Sequence, residues 1–279
     1  MMTSRKAIAA ISAGIAASIP VAPPAPASAA PAPAAPGDTR IVGGAEAAAG
    51  AYPWMTYVTV GYRGMSRVCG GALVSADIVL TAQHCLADSA THGRPTSLTA
   101  DIGALDHTAA AQAGTRRFGG KYLLGAGVGA GDWAVIKLTR PLKARSRPVL
   151  PADEAYDAKK TMRALGWGST NESGRPVRNL REVDLPYAPA AACGRNAHHE
   201  ICAGDLANGG VDTCHGDGGG PLLAAALGGR WVQVGITSHG FGCGRVDHPG
   251  HYTRVSAFTA KIQAAITLLD GEAAQTTAP

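Results

Sequence analysis

The chain is expected to be all-β, with two packed antiparallel barrels followed by one C-terminal α-helix, and three observations lead to that expectation. Short apolar segments alternate with Gly, Pro and Asp turns: TYVTVGY at 56–62, GALVSADIVLTA at 71–82 and WVQVGITS at 231–238, the pattern of half-buried strands joined by tight connections. A polar, proline-containing stretch from Pro141 to Lys160 divides this strand-rich region into comparable halves. Near the end, Phe258, Ile262, Ile266 and Leu269 recur at helical spacing before Gly271 supplies a stop, which predicts a helix over 256–270. The two halves share no internal repeat, and a cleft is expected between them.

The elements follow in chain order. Arg5 and Lys6 precede an apolar run from Ala7 to Ile19, and Ala27-Ser28-Ala29 has the small-x-small pattern that a signal peptidase accepts. Residues 1–29 therefore read as a secretory signal, with a run too short for a permanent membrane helix. Residues 30–40, APAPAAPGDTR, are too rich in Pro and Ala to pack and read as a pro-segment. The first barrel is placed at about 41–145 and the second at about 158–255. After the helix comes a tail at 271–279, of which Glu272 to Pro279 are small and polar and are expected to fray. No other segment is expected to span a membrane.

Composition narrows the function. Over 279 residues the formal net charge is +5, and the basic residues are scattered without an aromatic-interleaved patch, so nucleic acid is excluded as a partner. Six cysteines in an exported chain favour three disulfides, although the count alone permits about 15 pairings. None lies in a CxxC spacing, which argues against a zinc ribbon or a thioredoxin-type site. His198 and His199 read as a solvated loop, and there is no acidic calcium loop. Asp132 opens an apolar strand, where a carboxylate is costly unless hydrogen-bonded or paired.

Several segments together resemble the chymotrypsin–trypsin family of serine proteases. They are RIVGG at 40–44, TAQHC at 81–85, DWAVIKL at 132–138, GWG at 166–168, EICAG at 200–204, DTCHGDGGGP at 212–221 and PGHYTRVSAF at 249–258. They occur in the family's order and span nearly all of residues 41–270. The resemblance implies two six-stranded barrels with a C-terminal helix, with His84 as general base and Asp132 as the carboxylate that orients it. Gln83 stands where a small residue is more usual. At the nucleophile position the family carries a serine, and here Gly218 stands. Gly216 and Gly218 would supply the backbone N–H groups of an oxyanion hole.

The resemblance further implies activation by cleavage between Arg40 and Ile41, by another protease, followed by an ion pair between the new α-amino group and Asp217. Asp212 would lie at the base of a specificity pocket walled by Gly240 and Gly250, suited to Arg or Lys. Ser238 to Gly240 would offer strand-type hydrogen bonds to a substrate backbone, and His239 replaces the usual indole. The disulfides implied are Cys69 with Cys85, Cys193 with Cys202, and Cys214 with Cys243. His84, His215 and His239 would border the cleft but match no metal motif, so neither a metal nor another cofactor is expected.

Glycine offers no side-chain oxygen for an acyl-enzyme. The chain is therefore expected to be a secreted, extracellular, monomeric pseudoprotease acting by binding. Its partners would be a protein or peptide presenting Arg or Lys, or a protease inhibitor. The alternative is an active trypsin-like endopeptidase cleaving after Arg or Lys, with Gly218 erroneous, allelic or rescued by activated water.

Overall fold

In the computed structural model, residues 41–88, 92–111 and 115–277 are described, so the expected signal and pro-segment, Arg40 included, lie outside the described residues. The strands are β1 (Ala45–Glu46), β2 (Met55–Tyr62), β3 (Met65–Leu73), β4 (Ile78–Thr81), β5 (Ser97–Ile102), β6 (Arg116–Leu124), β7 (Ala134–Leu138), β8 (Thr161–Gly166), β9 (Arg181–Ala188), β10 (Glu200–Ala203), β11 (Pro221–Ala225), β12 (Trp231–His239) and β13 (Gly250–Arg254). The α-helices are α1 (Gln83–Leu86) and α2 (Thr259–Leu268).

The first barrel closes in the order β2-β3-β4-β7-β6-β5, since β2 also pairs with β5. Along β2, Thr56, Val58, Val60 and Tyr62 are buried while Tyr57, Thr59 and Gly61 are only half-buried. This period-two burial sets the strand's register, because a one-residue slip would expose the apolar set. The second barrel runs β9-β10-β13-β12-β11-β8, closed by β8 against β9, with β1 added to the outer side of β9. Two six-stranded antiparallel barrels and a C-terminal helix are thus present. Met162, Leu185, Leu222, Val232 and Tyr252 fill the second core together with Ile41.

The helix at 259–268 falls within the expected 256–270. Its apolar face reaches the first barrel, where α2 contacts β7. Phe258, Ile262, Ile266 and Leu269 join the core of the first barrel, with Ile78, Leu80 and Ile136. The expected fraying of the tail is corrected: Leu150 donates its N–H to the Gln275 carbonyl at 2.8 Å and accepts from the Thr277 N–H at 2.8 Å, and Ala274 is buried. The interbarrel connector carries backbone groups that need partners, and the tail supplies them. The single turn α1 was not anticipated. It begins directly after β4 and carries His84.

Candidate functional site

The site forms where α1, the loop before β7, the loop before β11 and the end of β12 meet. His84 and Asp132, 48 residues apart, face each other. The Asp132 carboxylate accepts from the His84 backbone N–H at 2.8 Å, and its Oδ2 lies 2.8 Å from His84 Nδ1. The same Oδ2 accepts from the Ser238 hydroxyl at 2.6 Å. Asp132 is 1% exposed. Burial opposes its ionisation, but the hydrogen bonds from the His84 ring and from Ser238 prevail and hold its carboxyl below the usual carboxylate range. An imidazole oriented this way has Nε2 turned away from the carboxylate and can take a proton there while Asp132 stabilises the cation. Arg67, which also reaches across the Tyr62 ring, donates to the His84 carbonyl and steadies α1.

Next to the ring lies Gly218. A Cβ placed on it would stand 2.7 Å from His84 Nε2, and its φ lies outside the left-handed region, so the backbone itself tolerates a side chain there. Gly216 differs, with φ +100°, a conformation that effectively requires glycine. Among the described residues, neither the Gly216 nor the Gly218 N–H donates to a protein acceptor, which leaves two donors free for an oxygen entering the cleft. The Gly218 carbonyl points the other way and accepts from the Gly70 N–H at 2.8 Å, tying this loop to β3.

Asp217, between these two glycines, is fully buried. Its carboxylate accepts from the Gly168 N–H at 2.7 Å and the Cys214 N–H at 2.9 Å. Burial dominates these bonds and pushes its carboxyl up to about 7. A Cβ on either Gly166 or Gly168 would collide with this carboxylate, which explains the small residues flanking Trp167. Ile41 is also fully buried, and Val42 accepts from the Asp212 N–H at 3.1 Å, so the segment beginning at Ile41 is already seated in the second barrel.

Asp212 closes the floor of the adjoining pocket. It is 3% exposed and accepts from the Thr213 and Gly244 N–H groups at 2.8 and 2.9 Å. Burial outweighs these bonds and raises its carboxyl to about 6. Gly250 must be small, because a Cβ there would stand 2.6 Å from Asp212 Oδ1 and 3.0 Å from the Tyr252 hydroxyl. At Gly240 a Cβ would meet only the Gly242 carbonyl at 3.7 Å and the Gly250 Cα at 3.9 Å, both ordinary contacts, so a side chain there would narrow the entrance instead. A buried carboxylate below a glycine-walled opening can hold a cation that brings its own hydrogen-bond donors.

Three disulfides frame these loops: Cys69–Cys85 beside α1, Cys193–Cys202 before and within β10, and Cys214–Cys243 across the pocket. Glu172 accepts from Arg245 at 2.6 and 2.7 Å and from the Cys243 N–H at 2.9 Å, bracing the pocket's outer wall. His84, His215 and His239 all line the cleft, but their ring nitrogens do not gather within ligand distance of one another among the described residues. The Ser238 hydroxyl, Arg67, Glu172, Glu200 and His251 were not singled out from sequence for the contacts they make. Nothing local in the chain marks those contacts, which join elements up to 106 residues apart, as Ser238 and Asp132 are.

A family model described as Trypsin matches residues 41–262. The chain is 38% identical over 241 residues to a trypsin-like protease of Streptomyces glaucescens, covering 83% of this chain and 84% of that protein. It is 35% identical over 235 residues to transmembrane protease serine 9 of Rattus norvegicus, covering 78% of this chain but 21% of that protein. Serine protease 56 of Homo sapiens is 35% identical over 239 residues, with 80% of this chain and 38% of that protein covered. No helix among the described residues is long and apolar enough to cross a membrane.

Proposed function

The chain belongs to the trypsin family of serine proteases, and from that premise we propose that it is a catalytically impaired member that acts by binding ligands bearing Arg or Lys. The observation that carries the reading is Gly218 beside His84: the base has a carboxylate partner and an Nε2 that faces the Gly218 position, but no side-chain oxygen stands where the family's serine would. Without that oxygen no acyl-enzyme can form, and the barrier is no longer divided into two easier steps. Family enzymes stripped of a triad member keep only roughly 10³ to 10⁴-fold catalysis over water, far below the complete machinery.

The remaining roles follow from the same premise. Gly216 and Gly218 form the oxyanion hole, Asp212 receives the guanidinium or ammonium group, and Ser238 to Gly240 line the bound segment. Cleavage after Arg40 frees the Ile41 α-amino group, which then pairs with Asp217 and stabilises its carboxylate. The three disulfides fit an oxidising, extracellular compartment. The ligand is a protein or peptide segment with an exposed Arg or Lys, including the reactive loop of a protease inhibitor.

A second reading, endopeptidase activity through water activated by His84, draws support from the complete Asp132–His84–Ser238 array. One experiment separates the two. The protein cleaved after Arg40 is assayed on an arginine ester and amide beside its Gly218→Ser and His84→Ala variants. Cleavage by the serine variant alone supports the binding role. Cleavage by the unaltered protein that disappears with His84→Ala establishes the enzymatic one.

A further inference from the structure

A second constellation lies on the cleft wall, outside the His84–Asp132 pair. It is built by three neighbouring strands. β10 pairs with β13 so that Glu200 lies opposite Thr253 and Cys202 opposite His251, and β12 pairs with β13 so that His239 lies opposite His251. A register shift between Thr237 and His239 brings the two imidazoles together, stacked with centroids 4.4 Å apart and planes 19° from parallel. Both aim a nitrogen at one carboxylate. His239 Nε2 is 2.9 Å from Glu200 Oε1, and His251 Nδ1 is 2.8 Å from Glu200 Oε2.

The electrostatics of Glu200 are unusual for a side chain only 2% exposed. Among the described residues its carboxylate meets neither arginine nor lysine. Arg254, which is near, directs its guanidinium to the Glu200 backbone carbonyl at 3.2 Å and to Asp157 at 3.0 Å. The buried carboxylate therefore faces only two imidazoles, whose hydrogen bonds outweigh its burial and hold its carboxyl well below the usual carboxylate range. A cation seated among the three would take the place of the two imidazole contacts that the carboxylate now makes.

We propose that Glu200, His239 and His251 form a binding site for one divalent first-row transition-metal ion, of the zinc type, in the wall of the cleft. Two imidazole nitrogens and one carboxylate oxygen are the donors such ions favour, whereas calcium and magnesium seek six or more oxygens. One ligand atom from each residue already lies within 4.8 Å of the other two. Metal–ligand lengths near 2.0–2.2 Å require tetrahedral donor separations of about 3.3 Å, so the two nitrogen–oxygen separations of 2.9 and 2.8 Å have to open by a few tenths of an ångström. The protons on the two facing nitrogens move to the far side of each ring or leave to solvent. His239 is 36% exposed and lines the cleft, so water from the cleft fills the fourth position. The other histidine-containing trios of this size include cysteines committed to disulfides, which provide no thiolate.

The test is titration of the full chain with Co²⁺, read by its visible absorption, and with Zn²⁺, read by calorimetry. Glu200→Gln and His251→Ala are compared with a double His198→Ala, His199→Ala control. One ion per chain, with a tetrahedral cobalt spectrum, is expected. Affinity should fall at least tenfold in Glu200→Gln and His251→Ala and stay unchanged in the control. Absence of stoichiometric uptake by the unaltered protein, or equal uptake by Glu200→Gln and His251→Ala, overturns the site. Loss only in the control does so too. Each variant's metal-free near-ultraviolet circular dichroism must match the parent; if either buried substitution disturbs it, the exposed His239→Ala decides by the same criterion.

Discussion

His84 Nε2 lies 2.7 Å from the point where a Cβ on Gly218 would stand. Real Cβ atoms keep about 3.4 Å or more from such a neighbour, so the ring has settled partly into the space a side chain would take. Asp132 holds the opposite nitrogen at 2.8 Å, and the ring can give way only by swinging about that bond.

Gly218→Ser should therefore confer hydrolysis of an arginine ester on the protein cleaved after Arg40, by about 10³-fold or more over the parent. The His84 ring must shift for this, and histidine NMR resonances should report the shift alongside the kinetics. Unchanged activity with a shifted ring would show that the loop, and not only the missing hydroxyl, is unfit.

Ser238→Ala removes a 2.6 Å hydrogen bond to a buried carboxylate. The cost should be about 1.5–3 kcal/mol, as for hydrogen bonds to charged groups. Asp132 is held low when folded, so its stabilising contribution is present above the ordinary carboxylate range and is lost as pH falls. In the variant that acid loss should be smaller and should be complete at higher pH, which thermal unfolding across the acid range measures.

Asp217 and Asp212 give the opposite sign. Their carboxyls rise from 3.8 to about 7 and about 6 on folding, so the stability they contribute is complete below the unfolded value and disappears as pH climbs through those values. Before cleavage at Ile41, thermal stability should decline between about pH 4 and 7. Asp217→Asn should flatten most of that decline, and cleavage should do the same by supplying a cation. A uniform profile in the uncleaved parent would refute the assignment.

Binding of benzamidine to the cleaved protein should strengthen as pH rises through about 6, where Asp212 ionises. Asp212→Asn should weaken it by about 30-fold or more, the scale of losing one partner of a buried charge pair. Gly250→Ala should block it by crowding Asp212. Calorimetry on the three proteins is decisive: affinity indifferent to Asp212 would leave the pocket unused.

Much of this was legible in the chain because it is written in local chemistry. The alternation in TYVTVGY declares β2, and the spacing from Phe258 to Leu269 declares the helix. The segments around His84, Asp132 and Asp212 carry a family resemblance on contiguous residues. β6 was harder, since RRFGGKYLL has glycines at its centre and an exposed face. The tail was misread because pairing with Leu150 joins residues 125 or more apart and needs no apolar pattern. The Glu200–His239–His251 trio was illegible for a related reason. Its members sit in EICAG, SHG and PGHYTRVSAF, and only strand registers and one bulge reveal that they share a carboxylate.

The packing of α2 against the first barrel also sets a timetable for synthesis. Ile78, Leu80 and Ile136 leave the ribosome more than a hundred residues before Ile262 and Ile266, their neighbours in the finished core. Until the last segment emerges, the earlier barrel has an uncovered apolar flank that a chaperone could hold and an early stop codon would leave open. The half of the molecule made first is completed by residues made almost last, so C-terminal truncation should damage the distant amino-terminal barrel.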